Sequence, residues 1–125
     1  MSRYRLTVRR HFSAAHHLRN YDGKCAHLHG HNYKIEITVT GDELDDCGML
    51  MDFGQLKQIC DQVLDQYDHA YLNDLPEFVN INATSENIAA CIFRQIACAL
   101  PDDGVHLDQV KLYETDDSAV TYRED

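Results

Sequence analysis

The chain has no tryptophan, only two prolines among 125 residues, and no apolar run long enough to cross a bilayer. Its first twenty residues are rich in arginine but lack an apolar stretch of signal-peptide length. We therefore predict a protein of the cytoplasm. The length is typical of one compact domain, so residues 1–125 are interpreted as a single domain.

Basic residues are also scarce, because 11 Lys and Arg stand against 21 Asp and Glu, for a formal net charge of -10. A nucleic acid would be repelled by such a surface before short-range contacts formed. The charge therefore favours a small-molecule partner. An anionic ligand would need a local group of cations or a metal to hold it.

The five cysteines form no C-x-x-C pair, and their number is odd. Without an export signal there is no reason to expect an oxidising compartment, so free thiols are predicted. Cys60 and Cys91 lie on apolar stripes of helical spacing, and together with Cys98 in the second helix they are predicted to fill the core.

The spacing of apolar residues predicts six elements in the order strand, strand, helix, helix, strand, strand. They cover about residues 4–12, 33–39, 56–67, 85–100, 110–115 and 119–123. Asp52 is the predicted N-cap of the first helix, and Pro101 marks the end of the second. The fold class is α+β: a four-stranded antiparallel sheet with both helices on one face. The other face remains uncovered, which favours self-association.

Six of the eight histidines fall between His11 and His31, around the long connection between the first two strands. On an extended segment His29 and His31 project from one face about 6 to 7 Å apart, a span that one metal ion bridges. His16, at the far end of the connection and next to the paired strand, can reach the same face. Three imidazoles describe a catalytic zinc site with one open position. The alternative interpretation is a polar loop with ordinary surface histidines.

Cys25 lies in a polar loop four residues before His29. A thiol near a dication or a protonated imidazole ionises more readily, which makes Cys25 a candidate base or nucleophile. It is otherwise inert or a fourth ligand that closes a structural zinc site. Asp68 and His69 follow the first helix and form a candidate pair in which a carboxylate orients an imidazole. The alternative is a solvated helix end.

Glu114 continues the parity of Val110 and Leu112, so its carboxylate is expected on the packed side of the strand. A ring with adjacent N–H and amino donors would satisfy both of its oxygens. If the sheet has ended by Glu114, the side chain is simply solvated. Thr84 and Ser85 begin the second helix and are candidate substrate contacts, although capping alone explains them.

Taken together, these residues resemble the 6-pyruvoyltetrahydropterin synthase and 6-carboxytetrahydropterin synthase family. The matching segments run along nearly the whole chain. They are Phe12–His16, Cys25 with Leu28–His31, Gly48–Phe53, Leu56–Lys57, Asp68–His69 with Tyr71–Asp74, Thr84–Asn87 and Glu114–Thr115.

The resemblance implies a tunnelling fold, in which trimers close their sheets into a barrel and two trimers stack as a homohexamer with active sites between subunits. It implies zinc on His16, His29 and His31, and 7,8-dihydroneopterin triphosphate as substrate. Cys25 would be the proton-abstracting base, with Asp68 and His69 as its relay. Glu114 would anchor the pterin ring.

The short loops look like the bacterial branch of the family. That branch releases triphosphate and acetaldehyde and leaves a 6-carboxytetrahydropterin for deazapurine (queuosine) synthesis. The other branch makes the 6-pyruvoyl product from the same substrate. The choice depends on pocket shape, which a sequence does not show.

Three positions depart from the family pattern. His17 and His27 stand where relatives often carry Arg, and Ala83 stands where they often carry Pro. Histidine at the expected triphosphate end makes the charge there depend on pH. Lys24 is then the remaining fixed cation, so Lys24 and His27 are the candidate phosphate contacts.

Two other classes of protein remain open from the residues alone. The segment from Gly23 through His29 and His31 to Glu36 mimics the first motif of a cupin metal oxygenase, although Glu36 has the opposite parity on a regular strand. Two strong helices also disfavour a jelly roll. The second alternative is a non-enzymatic zinc-binding module with Cys25 as fourth ligand.

Overall fold

In a computed structural model the chain is described over residues 3–125. Its elements are β1 (Tyr4–His16), β2 (His29–Gly41), α1 (Phe53–Leu64), β3 (Ala70–Tyr71), α2 (Ser85–Ala99), β4 (His106–Thr115) and β5 (Ser118–Tyr122). Single 3-10 turns lie at Lys24–Ala26, Leu72–Asp74 and Pro76–Phe78. Within residues 3–125, no helix is both long enough and apolar enough to span a bilayer.

The strands form one sheet in the order β3-β1-β2-β4-β5. The four long strands pair antiparallel, as the sequence predicts. A fifth strand was not predicted: β3 is two residues long and pairs parallel with Ala14 and Ala15 at the edge of β1. The expected four-stranded sheet is therefore corrected to five strands, because a two-residue strand is too short to show the period-two pattern.

Both helices pack on the same face of the sheet. Alternate residues of β1 and β2 point into this core, among them Phe12, Tyr33 and Ile35. The helices contribute residues such as Leu56 and Ile92, which are fully buried. The opposite face carries charged pairs such as Arg9 with Glu36, and no element within residues 3–125 covers it. The predicted α+β architecture is confirmed.

Local signals explain where the helices begin. The Asp52 carboxylate accepts the Gly54 N–H at 2.7 Å, and the Thr84 hydroxyl accepts the Asn87 N–H at 3.1 Å. Each cap satisfies one of the free donors of a first turn. The prediction that Asp52 caps the first helix is confirmed.

The expected core role of the cysteines is only partly correct. All five thiols are free, and Cys60 lies on the buried side of α1. Cys91 is half-buried and Cys98 is exposed on α2. The prediction for Cys98 was wrong, because the apolar stripe of α2 runs through Ile88, Ile92 and Ile96 and leaves position 98 outside it.

Candidate metal centre and active site

Three histidines lie at the ends of two paired strands. His16 is the last residue of β1 and stands directly opposite His29, the first residue of β2. His31 stands opposite Ala14, two residues away on each strand. Because residues two apart share a face of a strand, all three imidazoles project to the helix side of the sheet. The histidines therefore belong to the rigid sheet rather than to the intervening loop.

The three side chains converge. One ring nitrogen from each of His16, His29 and His31 lies within 4.8 Å of the others. A zinc ion bonded at about 2.0–2.1 Å holds neighbouring nitrogens about 3.4 Å apart, so small side-chain rotations bring the three into bonding geometry. Sheet register alone thus brings together a three-imidazole donor set.

Two of the imidazoles are oriented by backbone carbonyls. His16 Nδ1 lies 2.7 Å from the Ala83 oxygen, and His29 Nδ1 lies 2.7 Å from the His27 oxygen. A carbonyl only accepts, so each Nδ1 carries the proton and each Nε2 keeps its lone pair. Metal-binding histidines show this arrangement, in which the far nitrogen is fixed by a second partner.

Two of the Nε2 atoms, one of them on a ring oriented in this way, have no hydrogen-bond partner within residues 3–125. The Nε2 atoms of His16 and His31 are buried and, among residues 3–125, accept no hydrogen bond. Burial lowers the pKa of both imidazoles, which keeps them neutral at pH 7. Unpartnered buried nitrogens are costly unless something binds them. The donor set therefore fits a metal ion such as zinc.

Glu114 lies beside this trio near the end of β4. The Ser85 hydroxyl donates to Oε2 at 2.9 Å, and Oε1 lies 3.7 Å from His31 Nε2. Its side chain is 30% exposed. The carboxylate is therefore aimed into the site, oriented by the first residue of α2, and still open to a ligand. Thr84 acts as the cap of α2, as described above.

Cys25 sits in the 3-10 turn Lys24–Ala26, between exposed Lys24 and half-buried Ala26. Its side chain is half-buried, and its carbonyl accepts the Leu18 N–H at 2.7 Å. Within residues 3–125, the converging metal-donor atoms are those of the three imidazoles, and the Cys25 sulfur is not among them. The structure therefore does not form the closed four-ligand site of a structural zinc module.

Asp68 and His69 form a pair on the far edge of β1. The Ser13 N–H donates to Asp68 Oδ1 at 2.9 Å, and His69 Nδ1 lies 3.1 Å from Asp68 Oδ2. Both contacts lower the pKa of the Asp68 carboxyl, and the hydrogen bond from Ser13 has the larger effect. His69 has a φ of 59° and a side chain that is 83% exposed. The structure thus brings the carboxylate and the imidazole into contact, and their role as a relay stays a prediction.

The pair and the trio are separated within one chain. The anchor of the pair, Ser13, is three residues from His16, which is about 10 Å along a strand, and its side chain has the opposite parity. In residues 3–125 no hydrogen bond joins Cys25 to Asp68 or His69. An open depression of about 510 Å³ is lined by both His69 and His31. The structure thus brings Glu114 and Ser85 to the imidazoles, whereas Asp68 is bound to the backbone of Ser13 and His69 lies beside it.

The remaining predicted contacts lie at the surface or in the backbone. Lys24 and His27 have exposed side chains, and the carbonyl of His27 orients His29. Ala83 is buried and orients His16 through its carbonyl. Sequence reasoning missed both carbonyl contacts, because a backbone oxygen leaves no residue-type signal.

The position of Glu36 excludes the interpretation of the chain as a cupin. Glu36 pairs with Arg9 on the uncovered face, on the side of the sheet away from His29 and His31. The sheet is also a single layer backed by two helices rather than a jelly roll.

Comparison with known proteins agrees with this geometry. The family described as 6-pyruvoyl tetrahydropterin synthase matches residues 5–125. A 6-pyruvoyl tetrahydrobiopterin synthase from Dictyostelium discoideum is 38% identical and covers 94% of each chain. A 6-carboxy-5,6,7,8-tetrahydropterin synthase from Bacillus subtilis is 38% identical over 90% of this chain and 80% of its own length.

A solved structure is similar over the whole length. The 6-pyruvoyl tetrahydropterin synthase of Caenorhabditis elegans superposes with a TM-score of 0.87 at 31% identity, covering 100% of this chain and 98% of that one. The chain belongs to the 6-pyruvoyl tetrahydropterin synthase family. The resemblance inferred from its motifs is confirmed.

Proposed function

We propose that this chain is a zinc-dependent lyase that converts 7,8-dihydroneopterin triphosphate to 6-carboxytetrahydropterin with release of triphosphate and acetaldehyde, a step toward deazapurines such as queuosine. Relatives at 38% identity carry both the 6-carboxy and the 6-pyruvoyl names. The 6-pyruvoyl product from the same substrate is therefore the second candidate.

The observation that carries the proposal is the pair of carbonyl contacts to His16 and His29. They fix the Nδ1 protons and point the Nε2 lone pairs toward His31, and the Nε2 atoms of His16 and His31 are buried without a hydrogen-bond partner in residues 3–125. In this role His16, His29 and His31 hold zinc, which supplies Lewis acidity to the hydroxyls of the substrate side chain.

The protein groups around the trio have separate tasks. Glu114, held by the Ser85 hydroxyl, accepts hydrogen bonds from the ring N–H and amino group of the pterin and so fixes the ring. Cys25 removes a proton from the substrate side chain. Lys24 and His27, on the exposed loop, contact the triphosphate. These roles are supported by the placement of Glu114 and by the family match.

Asp68 and His69 serve a Cys25 of another subunit in this proposal. Their separation from the trio within one chain and the uncovered face of the sheet support a site shared between subunits. The assembly proposed is a homohexamer of two stacked trimers, in which three sheets close into a barrel.

The test is incubation of the metal-loaded protein with 7,8-dihydroneopterin triphosphate, with mass analysis of the pterin and a separate assay for acetaldehyde. We expect 6-carboxytetrahydropterin and acetaldehyde in equal amounts. A 6-pyruvoyl product without acetaldehyde would establish the second candidate. No consumption of substrate by protein that contains zinc would refute the proposed activity.

A further inference from the structure

The loop that carries Cys25 leaves the sheet at His16, where β1 loses its backbone neighbour. β3 pairs with β1 only at Ala14 and Ala15, and the chain then turns away into the 3-10 turn Leu72–Asp74. Beyond this point the β1 edge would expose unpaired N–H and C=O groups.

Two asparagine side chains continue the ladder. The Asn73 amide accepts the His17 N–H at 3.0 Å and donates to the His17 carbonyl at 3.1 Å. The Asn82 amide does the same for Arg19, with both distances 2.9 Å. Each side-chain amide thereby offers a donor and an acceptor to one residue, as a paired strand would.

Asn82 is itself held firmly. Its carbonyl accepts the Asn87 side-chain amide at 2.9 Å, and Asn87 lies in the capped first turn of α2. The Arg19 guanidinium donates to the carbonyls of Phe78, Val79 and Ile81. The segment 17–19 is thus fastened to the 72–82 connection and, through it, to α2.

The residue between the two clamped positions holds Cys25. In an extended segment the backbone groups of successive residues point to opposite edges, so clamping 17 and 19 on one side turns Leu18 to the other. There the Leu18 N–H donates to the Cys25 carbonyl at 2.7 Å. This hydrogen bond joins the Cys25 turn to the segment 17–19 that the two asparagines hold.

We propose that Asn73 and Asn82 are positioning residues for Cys25: their amides replace a missing strand along 17–19 and so fix the turn that presents the thiol. The structural part stands on the hydrogen bonds alone, and its consequence for catalysis rests on the function proposed above for Cys25. Neither asparagine contacts the imidazole trio through its side chain in the hydrogen bonds of residues 3–125.

The experiment measures the alkylation of Cys25 by iodoacetamide in the zinc-loaded protein, resolved by peptide mass analysis, with exposed Cys47 as internal reference. In Asn73→Ala and in Asn82→Ala we expect the ratio of Cys25 to Cys47 alkylation to change about tenfold in either direction. A tenfold change corresponds to the free energy of one or two net hydrogen bonds. Asn80→Ala, in the same connection but outside the ladder, is the matched control and should leave the ratio unchanged.

Turnover provides the second measurement. Both ladder variants should lose about tenfold in kcat with little change in KM and with wild-type zinc content, because the thiol is misplaced while the pterin and metal contacts remain. Loss of stability alone would not lower kcat per folded molecule, which separates misplacement of the thiol from partial unfolding. Ratios and kcat within twofold of the Asn80→Ala control in both variants would overturn the proposal.

Two further arms cover a variant that does not fold. Asn82→Asp keeps the acceptor for the Arg19 N–H and is judged by the same criteria. In the unaltered protein, amide hydrogen exchange at Leu18 should be slower than at residues 20–23, and equal rates would also overturn the proposal. Neither the alkylation nor the exchange measurement needs substrate, so a wild-type protein without turnover would refute the proposed function and leave this inference standing.

Discussion

The imidazole trio and the Asp68–His69 pair differ in how completely one chain builds them. The trio lies on the packed face of the two central strands, with two rings fixed by carbonyls and donor atoms within 4.8 Å. The pair lies at an open edge, where the His69 side chain is 83% exposed. Under the proposed function, one subunit therefore supplies the whole metal site, whereas the proposed relay would act on a neighbouring subunit.

The largest effect is expected from removing a member of the trio. His29→Ala should abolish stoichiometric zinc and lower turnover by about a thousandfold, since the metal supplies several kcal/mol of stabilisation to the transition state. Metal analysis and steady-state kinetics measure both. His11→Ala, an exposed histidine on the same strand as His16, is the control. Full zinc content in His29→Ala would show that the trio is not the metal site.

Replacing His69 of the pair should lower activity without lowering the metal content. His69→Ala should keep wild-type zinc content and lose about 10² to 10⁴ of kcat, the usual contribution of a general acid or base. A matching loss is expected in Cys25→Ala. If the site is shared, subunit exchange between the two inactive variants should restore activity at least about tenfold, because some sites then receive both intact groups.

The exchange experiment can fail in an informative way. Mixed oligomers no more active than the two separate variants would show that Cys25 and His69 act within one chain. Native mass analysis of the mixture confirms that subunits have exchanged, so a negative result cannot come from unmixed protein.

A smaller effect is expected next to the trio. Ser85→Ala removes the hydroxyl that orients Glu114 and should raise KM about three- to tenfold, the equivalent of one net hydrogen bond. Glu86→Gln, exposed in the same first turn, is the control. Zinc content should be normal in both variants. An unchanged KM in Ser85→Ala would argue against Glu114 as the pterin anchor.

The smallest effect concerns the pH response of the pair. The Ser13 N–H and His69 lower the pKa of Asp68 below its ordinary value of 3.8. Because the folded-state pKa is depressed, the stabilisation is present above the unfolded-state value and is lost as pH falls through the folded-state value. NMR titration should show the Asp68 carboxyl and the Ser13 amide shifting together. A midpoint at or above 3.8 would contradict the described contact.

The parts of the molecule with a periodic or capping signal were predictable. The strands around Leu6 and Ile37, the Asp52 cap and the parity that aligns His29 with His31 can all be read from residue types. The exposed loop was overestimated, because β1 runs on to His16 and β2 begins at His29. Small and polar residues at those strand ends hide the alternation.

Other features have no local signal. The strand β3 is two residues long, and the contacts of Asn73 and Asn82 join side chains to backbone more than 50 residues away in sequence. The carbonyls of His27 and Ala83 act regardless of their side chains. Such contacts depend on tertiary packing, which a single sequence pattern does not encode.

The direct opposition of His16 and His29 ties the ligand set to correct strand pairing. A slip of one residue between β1 and β2 would put Leu28 or Gly30 across from His16 and turn the imidazoles of the two strands to opposite faces. A misaligned chain would have lost its capacity to chelate. If the trio holds zinc as proposed, metal bound during refolding favours the native alignment, and the number of ions bound per chain measures the fraction of molecules that have attained it.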